Sequence, residues 1–148
     1  MKASHAWVDH TSELELELTA GSAAELFIEA AQALGELLAD HEGAPEPAGA
    51  EPKRGGHDRV PTRLAITVDA RDREALLAEW LSELSYHAET EGLVPERVEE
   101  LELSERALEA IVSARPGSPP HLVKAVTYHR LAIWEEAASV RGRVVFDV

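Results

Sequence analysis

No cysteine occurs anywhere in the 148 residues, which excludes disulfides, thiolate zinc sites, iron–sulfur clusters and a cysteine nucleophile. Basic residues are scarce: 14 Lys+Arg stand against 28 Asp+Glu, a formal net charge of −14. Non-specific affinity for nucleic acid comes mainly from neutralising phosphates with Lys and Arg, so tight direct binding of RNA or DNA is not expected. The acidity favours instead a cation or a protein partner with a basic groove. Long apolar runs are missing too. No stretch approaches the roughly 18 to 20 residues that span a bilayer, and the amino end lacks the basic, apolar, small-residue order of a signal peptide. The expectation is a soluble cytoplasmic protein with no membrane partner.

What is present suffices for a core. At 45% hydrophobic, a chain of this length can bury about two thirds of its unfolded surface, and residues 1–148 read as a single compact domain. Leu14 to Leu18 alternate Leu-Glu-Leu-Glu-Leu, the period of a half-buried strand over 13–19 with Glu15 and Glu17 toward water. Ser22 and Glu25 have capping-box spacing, and Leu26, Phe27, Ala30, Ala31, Leu34, Leu37 and Leu38 recur at helical intervals, predicting a first helix over 22–39. Residues 41–59 are rich in Gly and Pro and poor in large apolar side chains, and read as a flexible loop.

Leu64, Ile66 and Val68 alternate as a second strand, Asp72 can cap a helix carrying Leu76, Leu77, Trp80, Leu81 and Leu84, and Gly92 suits its end. Trp80 reads as core. Leu101 and Leu103 mark a third strand, and 107–113, though ambiguous with helix, read as a fourth. Pro116, Gly117, Pro119 and Pro120 form a turn, followed by strands over 124–134 and 140–148. The order predicts an α+β fold with two helices packed on a largely antiparallel sheet.

Three places could carry chemistry. Asp9-His10-Thr11-Ser12-Glu13 puts two carboxylates, an imidazole and two hydroxyls at the mouth of a strand; the same residues also make an ordinary polar turn. In Phe146-Asp147-Val148, Asp147 shares a face with Val145 and Arg143. Were this tail beside Glu13, its carboxylates would converge and repel unless a cation or proton intervened, and all-oxygen ligation would select Ca²⁺, Mg²⁺ or Mn²⁺. The plain alternative is a frayed acidic terminus. Lys124-Ala-Val-Thr-Tyr-His129 places Lys124 and His129 on opposite strand faces if no bulge intervenes. No zinc spacing, P-loop, dinucleotide fingerprint or nucleophile elbow is present.

Taken in order, these segments resemble archease, a small family associated with RNA ligation. The likeness rests on Asp9-His-Thr-Ser-Glu13 where the family reads D-H-T-A-D, the helix Ala23 to Asp40, Leu76-Leu-Ala-Glu-Trp-Leu-Ser-Glu-Leu84 followed by Glu91-Gly-Leu, Lys124 to His129, and the closing Val145-Phe-Asp-Val148. It covers about residues 5–40 and 60–148.

The resemblance implies a non-catalytic activator of the GTP-dependent RNA ligase that joins 3'-phosphate or 2',3'-cyclic-phosphate ends to 5'-hydroxyls in tRNA splicing and RNA repair. It would promote guanylylation of the ligase and its multiple turnover. The family's metal site maps onto Glu13, Asp147 and a main-chain or terminal oxygen of Val148, with Asp9, His10, Lys124 and His129 at nearby, supporting or partner-facing positions. One residue departs: Glu13 stands where the family has Asp, and its extra methylene displaces the carboxylate by roughly 1.5 Å, which Ca²⁺ tolerates better than Mg²⁺. The competing classes are an independent metal-dependent phosphoester hydrolase and a chaperone or scaffold that binds proteins.

Overall fold

A computed structural model describes residues 2–39, 62–117 and 123–148. The elements run β1 (Ser4–His10), β2 (Glu13–Ala20), α1 (Ala23–Ala39), β3 (Thr62–Asp69), α2 (Arg73–Glu91), β4 (Leu93–Leu103), β5 (Ala107–Pro116), β6 (Ala125–Glu136) and β7 (Ser139–Asp147). The expected α+β architecture is present, with one difference in detail. The strands divide into two sheets, a four-stranded one ordered β1-β2-β7-β6 and a three-stranded one ordered β3-β5-β4. Every pairing is antiparallel.

Each helix touches both sheets: α1 packs on β4 and on β1, β2 and β7, and α2 on β6 and on β3, β4 and β5. One core results, with Leu16, Leu18, Val144 and Phe146 from the first sheet, Leu64, Ile66, Leu108 and Val112 from the second, and Leu26, Phe27, Leu34, Trp80, Leu81 and Leu84 from the helices. Trp80 is fully buried, and its indole N–H donates to the Phe27 carbonyl at 2.9 Å, so the core's bulkiest side chain also ties α2 to α1. Where α1 crosses β4, Gly35 is required by proximity: a Cβ there would lie 2.4 Å from the Pro95 carbonyl oxygen.

The helix ends follow from the sequence. Ser22 Oγ accepts from the Glu25 amide at 3.2 Å, and Glu25 reaches back to the Gly21 amide at 3.1 Å, a capping box displaced by one residue. Asp72 accepts from the Ala75 amide at 2.8 Å. Gly92, at φ 66°, closes α2 in the left-handed conformation that favours glycine.

β1 precedes the strand expected to be first, and β4 begins at Leu93, well before the Leu101 that marked it. Its register shifts between Pro95 and Arg97 and again between Val98 and Glu100, which breaks the alternation of period two. The loop reading over 41–59 falls outside the described residues, as does the turn at Pro119 and Pro120, but Pro116 does not belong to a turn: it closes β5, opposite Leu93 at the start of β4.

Candidate functional site

The outer face of the four-stranded sheet, turned away from the helices, is ruled by side chains that alternate with the core leucines. Because β2 pairs with both β1 and β7, residues line up in rows across the sheet. One row is His10, Glu13, Asp147 and Ala125; the next is Val8, Glu15, Val145 and Thr127. Directly opposed antiparallel residues hold their Cβ atoms about 4.5–5.5 Å apart, so Glu13 and Asp147 are nearest neighbours on one face, with His10 on the other side of Glu13.

Main-chain bonds fix this end of the sheet. The Val148 amide donates to the Ser12 carbonyl at 3.3 Å, and the Lys124 amide donates to the Asp147 carbonyl at 2.8 Å. The last residues are therefore held between the β1–β2 turn and the start of β6. Ser12 makes the turn with φ 62°, a left-handed conformation that Ser adopts at some cost.

Glu13, Asp147 and Val148 are half-buried and His10 is exposed. Among the described residues, neither the Glu13 nor the Asp147 carboxylate has a hydrogen bond or ion pair. The other sequence-derived positions are not all with them. Asp9 pairs with Leu14 and so points to the opposite face, and Lys124, preceding Ala125, does likewise by alternation. His129 is exposed in a stretch where β6 slips against β7 between Thr127 and Ala132. That bulge removes the condition under which Lys124 and His129 would alternate simply.

Glu15 was expected in water and is not. It is only 3% exposed, because Arg130, carried over the sheet by the bulge, sets Nη1 2.7 Å from Glu15 Oε1, while His10 Nε2 lies 3.8 Å from the same oxygen. Neither contact has hydrogen-bond geometry, and Thr127 Oγ1, in the same row, is also buried without a hydrogen bond. Further along the outer face, Arg143 donates to the Arg130 carbonyl at 2.8 Å and stacks 5.6 Å from the Trp134 ring centre. The face is thus acidic at the end bearing Glu13 and Asp147, while beyond Arg130 it carries Arg143 and Trp134, with Glu17 directly opposite Arg143.

The donor set decides what this end could hold. Two carboxylates and a main-chain oxygen are hard ligands, which suit Ca²⁺, Mg²⁺ or Mn²⁺. Among the described residues no three or more His, Cys, Asp or Glu side chains are grouped so that they could hold a metal ion. The residues therefore fit a hard cation held by at most two side chains, whose remaining positions fall to main-chain oxygens, water or groups of a partner. A depression of about 630 Å³ lies elsewhere, on the outer face of the three-stranded sheet between Ala65, Thr67, Glu102, Glu109 and Ile111. Also among the described residues, no helix is long and apolar enough to cross a membrane.

Similarity to known proteins extends over nearly the whole chain. A sequence profile of the archease protein family matches residues 5–148. The protein archease of Methanosarcina acetivorans is 28% identical, covering 96% of this chain and 94% of its own. That of Methanopyrus kandleri is 26% identical over 95% and 96%. Among solved structures, protein 1598 of Methanobacterium thermoautotrophicum has a TM-score of 0.67 at 24% identity, covering 97% of this chain and 98% of its own. An archease from Thermotoga maritima, described as a possible chaperone, has 0.58 at 19% identity over 95% and 94%. At these identities the structures show a shared fold.

Proposed function

The chain belongs to the archease family, and from that premise we propose that it is a non-catalytic activator of a GTP-dependent RNA ligase, acting in tRNA splicing or RNA repair through the end of the sheet that carries Glu13 and Asp147. The observation that supports this reading is the cross-strand pairing of those two carboxylates. It concentrates negative charge on a half-exposed edge where a partner's cationic pocket could meet it. In this reading the protein does no chemistry on RNA or GTP itself.

Glu13, Asp147 and a main-chain oxygen of Val148 would hold a divalent cation. The cation would supply positive charge to the triphosphate of GTP at the ligase's active centre. The chain's own residues orient that end. The β1–β2 turn and the start of β6 clamp the tail through main-chain bonds, so the carboxylates are presented on a rigid strand pair. Exposed His10 lies at the rim, and Lys124 and Asp9 flank the same end on the other face, where they can meet the partner.

The test is formation of the covalent ligase–GMP species with GTP and Mn²⁺. Adding the wild-type protein should raise its rate, and Asp147→Ala should abolish the rise while the variant stays folded. An equal rise with the variant would reject the assignment. Turnover of phosphoesters by the isolated protein, abolished by a chelator, would reject the non-catalytic role.

A further inference from the structure

We infer that Arg130 is a built-in countercation of the acidic end: by pairing with the buried Glu15 it limits how strongly Glu13 and Asp147 attract a divalent cation. The inference rests on the proposed cation site but concerns residues outside it. Glu15 lies on the face of Glu13 and one row from Asp147, and a carboxylate only 3% exposed must be compensated. The compensation is the Arg130 guanidinium at 2.7 Å. Of the three side-chain carboxylates of Glu13, Glu15 and Asp147 on this face, Arg130 offsets one.

The backbone is shaped for this contact. Arg130 sits at φ 61°, in a conformation L-residues rarely adopt, inside the slip of β6 against β7. Its carbonyl is held there by the Arg143 side chain, itself stacked on Trp134. A regular strand would have paired residue by residue with β7 and kept the guanidinium off the Glu15 row. The pairing is also incomplete. Glu15 Oε1 lacks a hydrogen bond, as does Thr127 Oγ1 two strands away in the same row, and the Arg130 side chain is 45% exposed. The buried carboxylate is therefore neutralised without being saturated with hydrogen bonds, and its countercation stays partly in water.

The experiment is calorimetric titration of the whole protein with Mn²⁺ alone. Arg130→Met should bind on the order of tenfold more tightly than wild type, as expected for one charge removed a strand row away in a partly solvated site. The Glu15→Gln/Arg130→Met pair, which restores the wild-type net charge, should return close to the wild-type affinity. Should Arg130→Met alone fail to fold, the same step is read between Glu15→Gln and the double variant, neither of which buries an unpaired carboxylate. There too, loss of Arg130 should tighten binding about tenfold. Asp147-dependent binding by the wild type that is unchanged by removing Arg130 would overturn this inference alone. Absence of Asp147-dependent binding in every variant would overturn the cation site with it.

Discussion

Glu13 and Asp147 face each other directly across β2 and β7, and neither carboxylate has a hydrogen bond or ion pair among the described residues. Like charges opposed in a sheet are destabilising by about 0.2–1 kcal/mol. Asp147→Asn should therefore raise stability by about that amount in chelator, measured by urea unfolding. In saturating Mn²⁺ the order should reverse, because a cation that binds only the folded wild type stabilises it by about 2.7 kcal/mol at a hundredfold excess over Kd. A wild-type stability indifferent to Mn²⁺ would count against the cation site.

Ser12 makes the turn before β2 at φ 62° and accepts the Val148 amide. Glycine adopts that conformation without the Cβ penalty, so Ser12→Gly should stabilise the protein by about 0.5–1 kcal/mol, net of its greater unfolded-state entropy. A loss of stability would mean that the turn owes its shape to the Ser side chain.

Much of the fold, and less of the site, was legible in the residues. β2, both helices, their caps and the burial of Trp80 follow from period and capping chemistry, because these are local. β1 escaped because Ala6 and Val8 lie on its outer face while His5, Trp7 and Asp9 lie on the inner one, so no apolar alternation marks it. The burial of Glu15 was illegible for a different reason. Alternation assigns Glu15 correctly to the outer face but cannot say what covers that face. The cover is Arg130, delivered by a bulge with no glycine to announce it. Approach of the tail to Glu13 was a conditional in the sequence and a register in the structure, since strand pairing across the whole chain is set by the shared core and not by local pattern.

Close approach of α1 to β4 gives a third expectation. A methyl group at position 35 would lie 2.4 Å from a backbone oxygen, which neither element can yield cheaply. Gly35→Ala should lose about 1–3 kcal/mol despite the better helix propensity of Ala, as overpacking does. Thermal unfolding reads the loss; an unchanged midpoint would place α1 further from β4.

The ionisation of Tyr128 is displaced. Partial burial, and then the Glu79 carboxylate 3.3 Å from its hydroxyl, raise its pKa above the ordinary 10.0. Because the folded value lies above the unfolded one, the stabilising contribution is complete below pH ~10 and lost as pH rises through the folded pKa. Phenolate absorbance should show Tyr128 ionising late, and Glu79→Gln should bring it part of the way back, leaving the share due to burial. No movement in that variant would remove Glu79 as a cause.

The most direct test compares rates of ligase–GMP formation with GTP and Mn²⁺ in the presence of wild type, Asp147→Asn and Glu102→Gln, the last a carboxylate change on the other sheet. A functional Glu13–Asp147 end predicts full stimulation by wild type and Glu102→Gln, and at least about a tenfold loss with Asp147→Asn, the effect of removing one charged contact. Equal stimulation by all three proteins would contradict it.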